Sequence, residues 1–147
     1  DGFKGELTGV GRLLAVNNKL FFTATTGIVT GDDIVDNNYL FVSYDLQKQK
    51  IEIIYTISNF NEIAGINEIV YCPFSVLIDD HYYIYLNGTK DCALLESVSG
   101  QLKLCWKSEN RGLIYIVENE PVVCGPSEGN ILYGEKAKKL MVKAGET

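Results

Sequence analysis

One stretch of the sequence, from Ser75 to Trp106, constrains the fold more than any other. It consists of short runs of β-branched and aromatic residues separated by three groups of turn-forming residues, which are Asp79-Asp80, Asn87-Gly88 and Ser97–Gly100. Small polar residues and glycine between such runs are typical of β-hairpin turns, because they tolerate positive φ. After the third turn, apolar and more polar residues alternate up to Trp106, as expected for a strand. The stretch therefore predicts four antiparallel strands joined by three turns.

Two other parts of the chain repeat this plan. The dipeptides Asn17-Asn18 and Glu118-Asn119 stand where the central copy has Asp79-Asp80, and the alternating segment that ends at Tyr55 matches the one that ends at Trp106. The copies span residues 11–55, 75–107 and 112–143, and an insertion at residues 25–38 lengthens the first. We therefore expect a single all-β domain over residues 1–147, made of antiparallel four-stranded sheets that repeat every 40 residues or so. The opening strand, GELTGVG, and a final strand around residues 140–142 could complete one sheet between them.

The central copy carries a family resemblance. Its acidic turn at Asp79-Asp80, its Asn87-Gly88 turn, its Ser-Gly-Gln sequence at 99–101 and its closing Trp106 resemble the blade of quinoprotein-like and WD-type β-propellers. The resemblance implies a β-propeller-like arrangement of four-stranded blades. It implies no cofactor, because nothing in the chain matches a cofactor-binding residue of the quinoprotein enzymes.

A two-sheet β-sandwich is the alternative architecture, because hairpins look alike in sandwiches and propellers. Propellers have about four or more blades, and three copies fall short of that number. A ring would then need strands from both ends of the chain, a second copy, another protein, or a longer chain of which this is a segment.

Composition excludes several classes of protein. The chain has 147 residues, of which 46% are hydrophobic, so it can bury a core and is not expected to be disordered. Its net charge of -6 disfavours nucleic acid as a partner, since backbone binding depends on clustered Lys and Arg. No apolar run approaches the ~20 residues needed to span a bilayer, so we expect no membrane span. The lysines near the end of the chain predict a solvated edge strand, with a docking patch as the alternative: Lys136, Lys138, Lys139 and Lys143.

The residue types needed for catalysis or metal binding are sparse. His81 is the only histidine, so one chain cannot build a multi-histidine metal site, and we expect His81 to be an exposed hairpin residue. Asp79 and Asp80 are adjacent and suit a turn better than an acid and base pair. The oxygen-rich segment GDDIVDNN, at residues 31–38, matches no calcium loop and favours a polar turn. We therefore expect no metal, no cofactor and no enzymatic activity.

Cysteine and asparagine chemistry leaves two alternatives open. The cysteines, Cys72, Cys92, Cys105 and Cys124, are too widely spaced for a zinc site, and buried free thiols are the main interpretation. A disulfide between Cys92 and Cys105 requires that Glu96 pair with Gln101; if Ser97 pairs with Gln101 instead, the two cysteines point to opposite faces. Asn87-Gly88-Thr89 is a formal glycosylation acceptor that matters only in a secreted protein, and the turn explains it equally well.

Tyrosine is the residue type that suggests a function. Nine tyrosines are present, and Tyr82, Tyr83 and Tyr85 lie close together after His81. Tyrosine on a rigid sheet surface is good contact material, although it is also simply a good strand former. We therefore expect a non-catalytic interaction module that presents these four residues to a protein partner or to a second copy. The alternative is a secreted or virion-surface protein that recognises a carbohydrate or receptor; the sequence does not decide between an intracellular and an extracellular location.

Overall fold

Three antiparallel β-sheets follow one another along the chain. The structure is a computed structural model that describes residues 6–69, 73–126 and 130–145. In the first sheet, β3 pairs with β4 and β4 with β5, while β1 and β2 share the other side of β3. Its strands are β1 (Glu6–Val10), β2 (Leu14–Val16), β3 (Lys19–Thr30), β4 (Asp33–Asp45) and β5 (Lys50–Ile57).

The predicted insertion at residues 25–38 is the outer part of a long hairpin. β3 and β4 pair without interruption from Lys19 opposite Asp45 to Thr30 opposite Asp33, apart from one irregularity after Thr26. β1 runs alongside this outer part, with Val10 opposite Ala24. The expectation that the opening strand pairs with a final strand is therefore wrong, because β3 is long enough to hold β1 as well as β2.

The central stretch folds into the predicted four-stranded meander. A short helix, α1 (Asn61–Ala64), precedes it and ends at Gly65, whose φ of 65° is left-handed. Each strand of the second sheet pairs with the next in the order β6-β7-β8-β9. The strands are β6 (Phe74–Ile78), β7 (His81–Asn87), β8 (Cys92–Val98) and β9 (Gln101–Ser108).

The third copy forms only three strands and then a helix. Its elements are β10 (Leu113–Val117), β11 (Glu120–Cys124), β12 (Ile131–Tyr133) and α2 (Glu135–Gly145). The predicted strand at residues 140–142, and with it the lysine-bearing edge strand, is wrong. Alanine, lysine, leucine and methionine dominate residues 135–144, and their high helix propensity outweighs the repeat.

The dipeptides that mark the three copies all form two-residue hairpin turns. Both residues have positive φ in Asn17-Asn18 (46° and 61°), in Asp79-Asp80 (48° and 64°) and in Glu118-Asn119 (48° and 59°). Such turns match the right-handed twist of the strands that they join. The prediction of these turns is confirmed, and each one connects the first two strands of its copy.

The Asn87-Gly88 turn differs from the prediction. Asn87 is the last residue of β7 and pairs with Cys92, so the connection is the four-residue loop 88–91, and neither Asn87 nor Gly88 has positive φ. Gly88 donates its backbone N–H to the Asp91 carbonyl oxygen at 2.9 Å and bridges to Ile69. A Cβ at Gly88 would require the Asp91 carboxylate to move.

The third turn sets a register that neither alternative anticipated. Val98 pairs with Gln101 across a tight turn at Ser99-Gly100, where φ is 52° and 79°. The register shifts further along, between Leu94 and Leu95, so the bulge lies in the middle of the β8–β9 pair rather than at the turn.

The second sheet lies between the other two and buries both faces of β6, β7 and most of β8, whereas β9 is largely exposed. One face packs against the first sheet and α1, and the other packs against the third sheet. The core of the first interface includes Phe21, Phe41, Phe60, Tyr82, Ile84 and Leu95, and that of the second includes Phe74, Val76, Tyr85, Leu94, Ile114 and Val123. The chain is thus an all-β stack of three sheets, and no closed barrel or propeller ring is detected among the described residues.

Candidate functional site

The tyrosines of β7 point to opposite faces of the second sheet. Tyr82 is 4% exposed and lies in the first interface, where its ring contacts Phe21 and Tyr55 at centroid distances of 6.2 Å and 5.6 Å. Burial raises the pKa of the Tyr82 phenol far above its usual value. The expectation that Tyr82 presents a contact surface is therefore wrong, because the neighbouring sheet covers it.

Tyr85 lies in the second interface and is 3% exposed. Its hydroxyl can donate to the Gly112 carbonyl oxygen at 2.7 Å or to Asn87 Oδ1 at 3.1 Å. Burial is the main reason that the pKa of this phenol is also strongly raised. Tyr85 is thus a core residue that anchors the loop between β9 and β10, and its predicted role as an exposed contact is wrong.

His81 and Tyr83 are the two predicted contact residues that remain accessible. His81 is exposed, as expected, and its Nδ1 lies 2.9 Å from Glu96 Oε1. The half-buried Tyr83 pairs across the strands with Glu96, and its ring stacks on His81 at 6.3 Å. Burial, and then the nearby Glu96 carboxylate, raise the pKa of Tyr83. These three residues form a polar cluster at the edge of the second interface.

The cysteines do not form the bridge that one register would have allowed. Cys92 pairs with Ser108 rather than with Cys105, and Cys72 lies outside the described residues. Cys92, Cys105 and Cys124 are free thiols, but only Cys92 is buried; Cys124 is half-buried and Cys105 is exposed, so the expectation of a buried thiol is wrong for Cys105. The Cys92 thiol donates to the Asn110 carbonyl oxygen at 3.2 Å, and Cys105 Sγ lies 3.4 Å from the Tyr133 hydroxyl. Burial is the main factor that raises the pKa of both Cys92 and Cys105. A raised pKa keeps each thiol protonated and makes it a poor nucleophile.

Asn87 is half-buried at the end of β7. Its Oδ1 accepts a hydrogen bond from Tyr85, and the residue lines two adjoining cavities. The glycosylation acceptor is therefore part of a concave surface instead of a projecting turn.

The carboxylates do not converge on a metal site. No group of three or more His, Cys, Asp or Glu residues is placed to hold a metal ion in the part of the chain that the structure describes. Asp79 and Asp80 are exposed in the hairpin turn, and Asp32 and Asp33 are exposed around the end of the long hairpin.

The face of the first sheet that points away from the second sheet is apolar. We call it the outer face, and it comprises Leu20, Phe22, Ala24, Leu40, Val42, Tyr44, Ile51 and Ile53. Ala24, Leu40 and Val42 form a buried cluster with Phe22, whereas Ile53 and Ile51 on β5 are 44% and 62% exposed. Cross-strand pairing of Val42 with Ile53 and of Tyr44 with Ile51 brings the buried and exposed parts together. The cross-strand positions that make up this face carry no charged residue.

The sequence contains a signal for the outer face, although the predicted contact residues lie elsewhere. Consecutive apolar residues such as Leu20-Phe21-Phe22 and Leu40-Phe41-Val42 lack the alternation of a strand with one solvated face. Unbroken apolar runs are typical of strands that are covered on both sides.

The face of the third sheet that points away from the second sheet is covered in part by α2. Ala137 of the helix is buried, and it lines a wholly apolar groove of about 250 Å³ together with Val122 and Ile131. Lys136 secures the helix, because its backbone N–H donates to Glu120 Oε1 at 2.9 Å. Leu113 and Tyr115 on β10 stay exposed beside the groove.

Comparison with known proteins gives no further guidance. Neither the family models, nor the curated proteins, nor the solved structures that were compared include a match to this chain. In the described part of the chain, every helix is too short or too polar to cross a bilayer.

Proposed function

We propose that this chain is a non-catalytic protein-interaction module, and that it self-associates by packing the outer face of its first sheet against the same face of a second copy. The observation that carries the proposal is the exposure of Ile51 and Ile53 on a face whose paired positions hold no charge. Exposed apolar surface of this kind marks interaction sites more often than isolated apolar residues do.

A second copy suits this face for an electrostatic reason. Two chains that each carry a net charge of -6 repel one another, and the repulsion is strongest where charged groups meet. An uncharged face is the place where two identical copies can approach with least opposition. A symmetric contact of this kind is the commonest arrangement among oligomers.

The chain's own interfaces support face-to-face packing. The first and second sheets already pack with Phe21 and Phe41 on one side and Ile84 on the other. On the outer face, Phe22 and Tyr44 are half-buried and Ile53 is exposed, so residues of a similar kind remain accessible there. A second sheet could therefore stack on it in the manner of the existing interface.

The same stacking supports a propeller-like arrangement, which we propose in an open form. A two-residue turn of the same type occurs in each of the three sheets, and β2 contacts β6, so equivalent strands of the first and second sheets are neighbours. α2 lies over the outer surface of the third sheet, so a further sheet could stack there only if the helix moved. The proposal is therefore an open stack that is extended at its first sheet.

The placement of the reactive side chains supports a non-catalytic role. His81 contacts Glu96, while the Cys105 thiol lies beside Tyr133, and the raised pKa of Cys105 opposes thiolate formation. The Glu96 carboxylate, which contacts both His81 and Cys105, adds to the rise in the Cys105 pKa and so disfavours the thiolate that a nucleophile would need.

Sedimentation velocity over a range of protein concentrations tests the self-association. We expect wild-type protein to be dimeric and the Ile53→Lys variant to be monomeric, because the substitution would bury an unpaired ammonium group at the contact. Leu104→Lys is the matched control, since Leu104 is 45% exposed on β9 and lies away from the outer face. A circular dichroism spectrum would verify that both variants fold.

A wild-type protein that stays monomeric at the highest soluble concentration would contradict the proposal. So would a dimer that Ile53→Lys leaves intact, because the contact would then lie elsewhere.

A further inference from the structure

Two adjoining cavities open at one end of the second interface, where the loops 88–91 and 109–112 lie. Their volumes are about 750 Å³ and 470 Å³, and they share Asn87 and Leu113 in their linings. We call the pair the loop-end cavity. It is separate from the outer face of the first sheet, and its volumes are in the range of small-molecule sites.

The wall formed by loop 109–112 is held in place by the second sheet. Tyr85 bonds to the Gly112 carbonyl oxygen, and Cys92 donates to the Asn110 carbonyl oxygen. A Cβ on Gly112 would lie 2.7 Å from the Cys124 carbonyl oxygen, so only glycine allows the loop to approach β11 this closely. The cavity is therefore formed before any ligand arrives, which reduces the entropic cost of binding.

The charge of the lining is opposite to that of the whole chain. Arg12, Lys90 and Arg111 line the cavity, whereas Glu109 is its only carboxylate among the lining residues described. A positively charged recess in a chain with a net charge of -6 attracts anions locally.

The hydrogen-bonding groups of the lining are biased towards donors. The Asn110 carbonyl oxygen accepts a bond from Cys92, and the single hydroxyl proton of Tyr85 is accepted by the Gly112 carbonyl oxygen or by Asn87 Oδ1. The Asn87 amide nitrogen and the Arg12 guanidinium carry N–H donors only. A ligand that supplies oxygen acceptors would match this set.

One side of the loop-end cavity is apolar, and its Phe74 ring contacts the guanidinium group of Arg12. The Arg12 guanidinium carbon lies 5.4 Å from the centroid of the Phe74 ring, a cation–π contact. Leu113 and Tyr115, which are 62% and 47% exposed, continue the apolar surface.

From these observations we infer that the loop-end cavity binds a small organic anion, in which a carboxylate or phosphate group is attached to an apolar or ring-shaped body. The anionic group would contact Arg12 and the Asn87 amide, and the body would lie against Phe74 and Leu113. Both anionic groups supply the same oxygen acceptors, and the probes below separate them.

A titration followed by amide NMR spectra tests the inference with benzoate, phenyl phosphate and neutral benzyl alcohol. We expect at least one of the two anions to shift the amide signals of Asn87 and Leu113 at millimolar concentration, and benzyl alcohol to bind at least tenfold more weakly, since a charge-assisted hydrogen bond is worth roughly that factor. Arg12→Gln should weaken the anion by about tenfold, and Lys103→Gln, on the exposed part of β9, should not change it.

Two variants of Leu113 that differ only in charge provide a second measurement, which does not depend on Arg12. Leu113→Glu should weaken binding of the anion by more than Leu113→Gln does, because the two side chains have nearly the same shape and differ in charge. The inference would be overturned if neither anion bound, if benzyl alcohol bound as tightly as the anions, or if Arg12→Gln and Leu113→Glu both left the affinity unchanged.

Discussion

The Tyr55 hydroxyl lies 2.6 Å from Ser97 Oγ and joins the first sheet to the second across 42 residues of sequence. Tyr55 also contacts the buried ring of Tyr82, so one side chain makes both a polar and an apolar contact across the first interface. The bond ties the outer part of the interface together, near the end of β8.

Removal of this bond should cost a measurable amount of stability. We expect Tyr55→Phe and Ser97→Ala each to lower the free energy of unfolding by about 0.5–1.5 kcal/mol, and the double variant to lose less than the sum. Urea denaturation of the four proteins measures the coupling. Tyr115→Phe, at an exposed position, is the control; strict additivity of the two changes would show that the bond contributes nothing in solution.

Two leucines that face each other across β8 and β9 should differ sharply in their contribution to stability. Leu95 is fully buried, and its cross-strand partner Leu104 is 45% exposed. Leu95→Ala should destabilise the protein by roughly 2–5 kcal/mol, because it leaves a cavity in the first interface, and Leu104→Ala by less than about 1 kcal/mol. Equal losses on thermal or urea unfolding would mean that the first two sheets do not stack as described.

The turn at Glu118-Asn119 should be improved by substitution. Glu118 has a φ of 48°, a conformation that asparagine adopts at lower cost than glutamate. Glu118→Asn should therefore stabilise the protein by about 0.5 kcal/mol, and Glu118→Val should destabilise it by about 1–2 kcal/mol. Glu68→Asn, at an exposed position without positive φ, should give no gain. A stabilising valine would contradict the turn geometry.

Alkaline pH should destabilise the fold through its buried tyrosines. Burial raises the pKa values of Tyr82, Tyr85 and Tyr133 above that of a free phenol, so the folded state binds these protons more tightly than the unfolded state does. The resulting stability is fully present below pH ~10, the pKa of an unfolded tyrosine, and is lost progressively as the pH rises above it.

Phenolate absorbance, recorded beside circular dichroism during an alkaline titration, measures this effect. We expect these tyrosines to ionise only as the fold is lost, and Tyr82→Phe to reduce the pH dependence of the free energy of unfolding above pH ~10. Ionisation of all nine tyrosines in a protein that remains folded would contradict the burial of Tyr82 and Tyr85.

Local sequence patterns were sufficient for most of the strands and turns. Asn17-Asn18, Asp79-Asp80 and Glu118-Asn119 were recognisable because the conformation of a two-residue turn depends mainly on the residues within it. Asn87-Gly88 resembled them, but its conformation depends on Asp91 and Ile69, which local sequence does not reveal. The helix α2 was also predictable in principle from its composition, and the repeat pattern concealed it.

The residues proposed for the two sites were harder to predict. Ile51 and Ile53 could be placed in a strand, but only their pairing with Tyr44 and Val42 shows that they extend an apolar face. Arg12, Asn87 and Arg111 are far apart in sequence, and they line one recess because the ends of three sheets meet there.

The sequence by itself determined that this chain is all-β and forms paired antiparallel strands, because hydrophobic alternation and turn chemistry act over a few residues. Only the tertiary structure decided that Tyr82 and Tyr85 are buried on opposite faces, that Cys92 and Cys105 stay apart, and that an apolar face remains at the first sheet. The physical reason is that each strand has two faces, and a side chain's exposure depends on whether another sheet packs against its face. A register shift of one residue, such as the one between Leu94 and Leu95, changes which side chains meet.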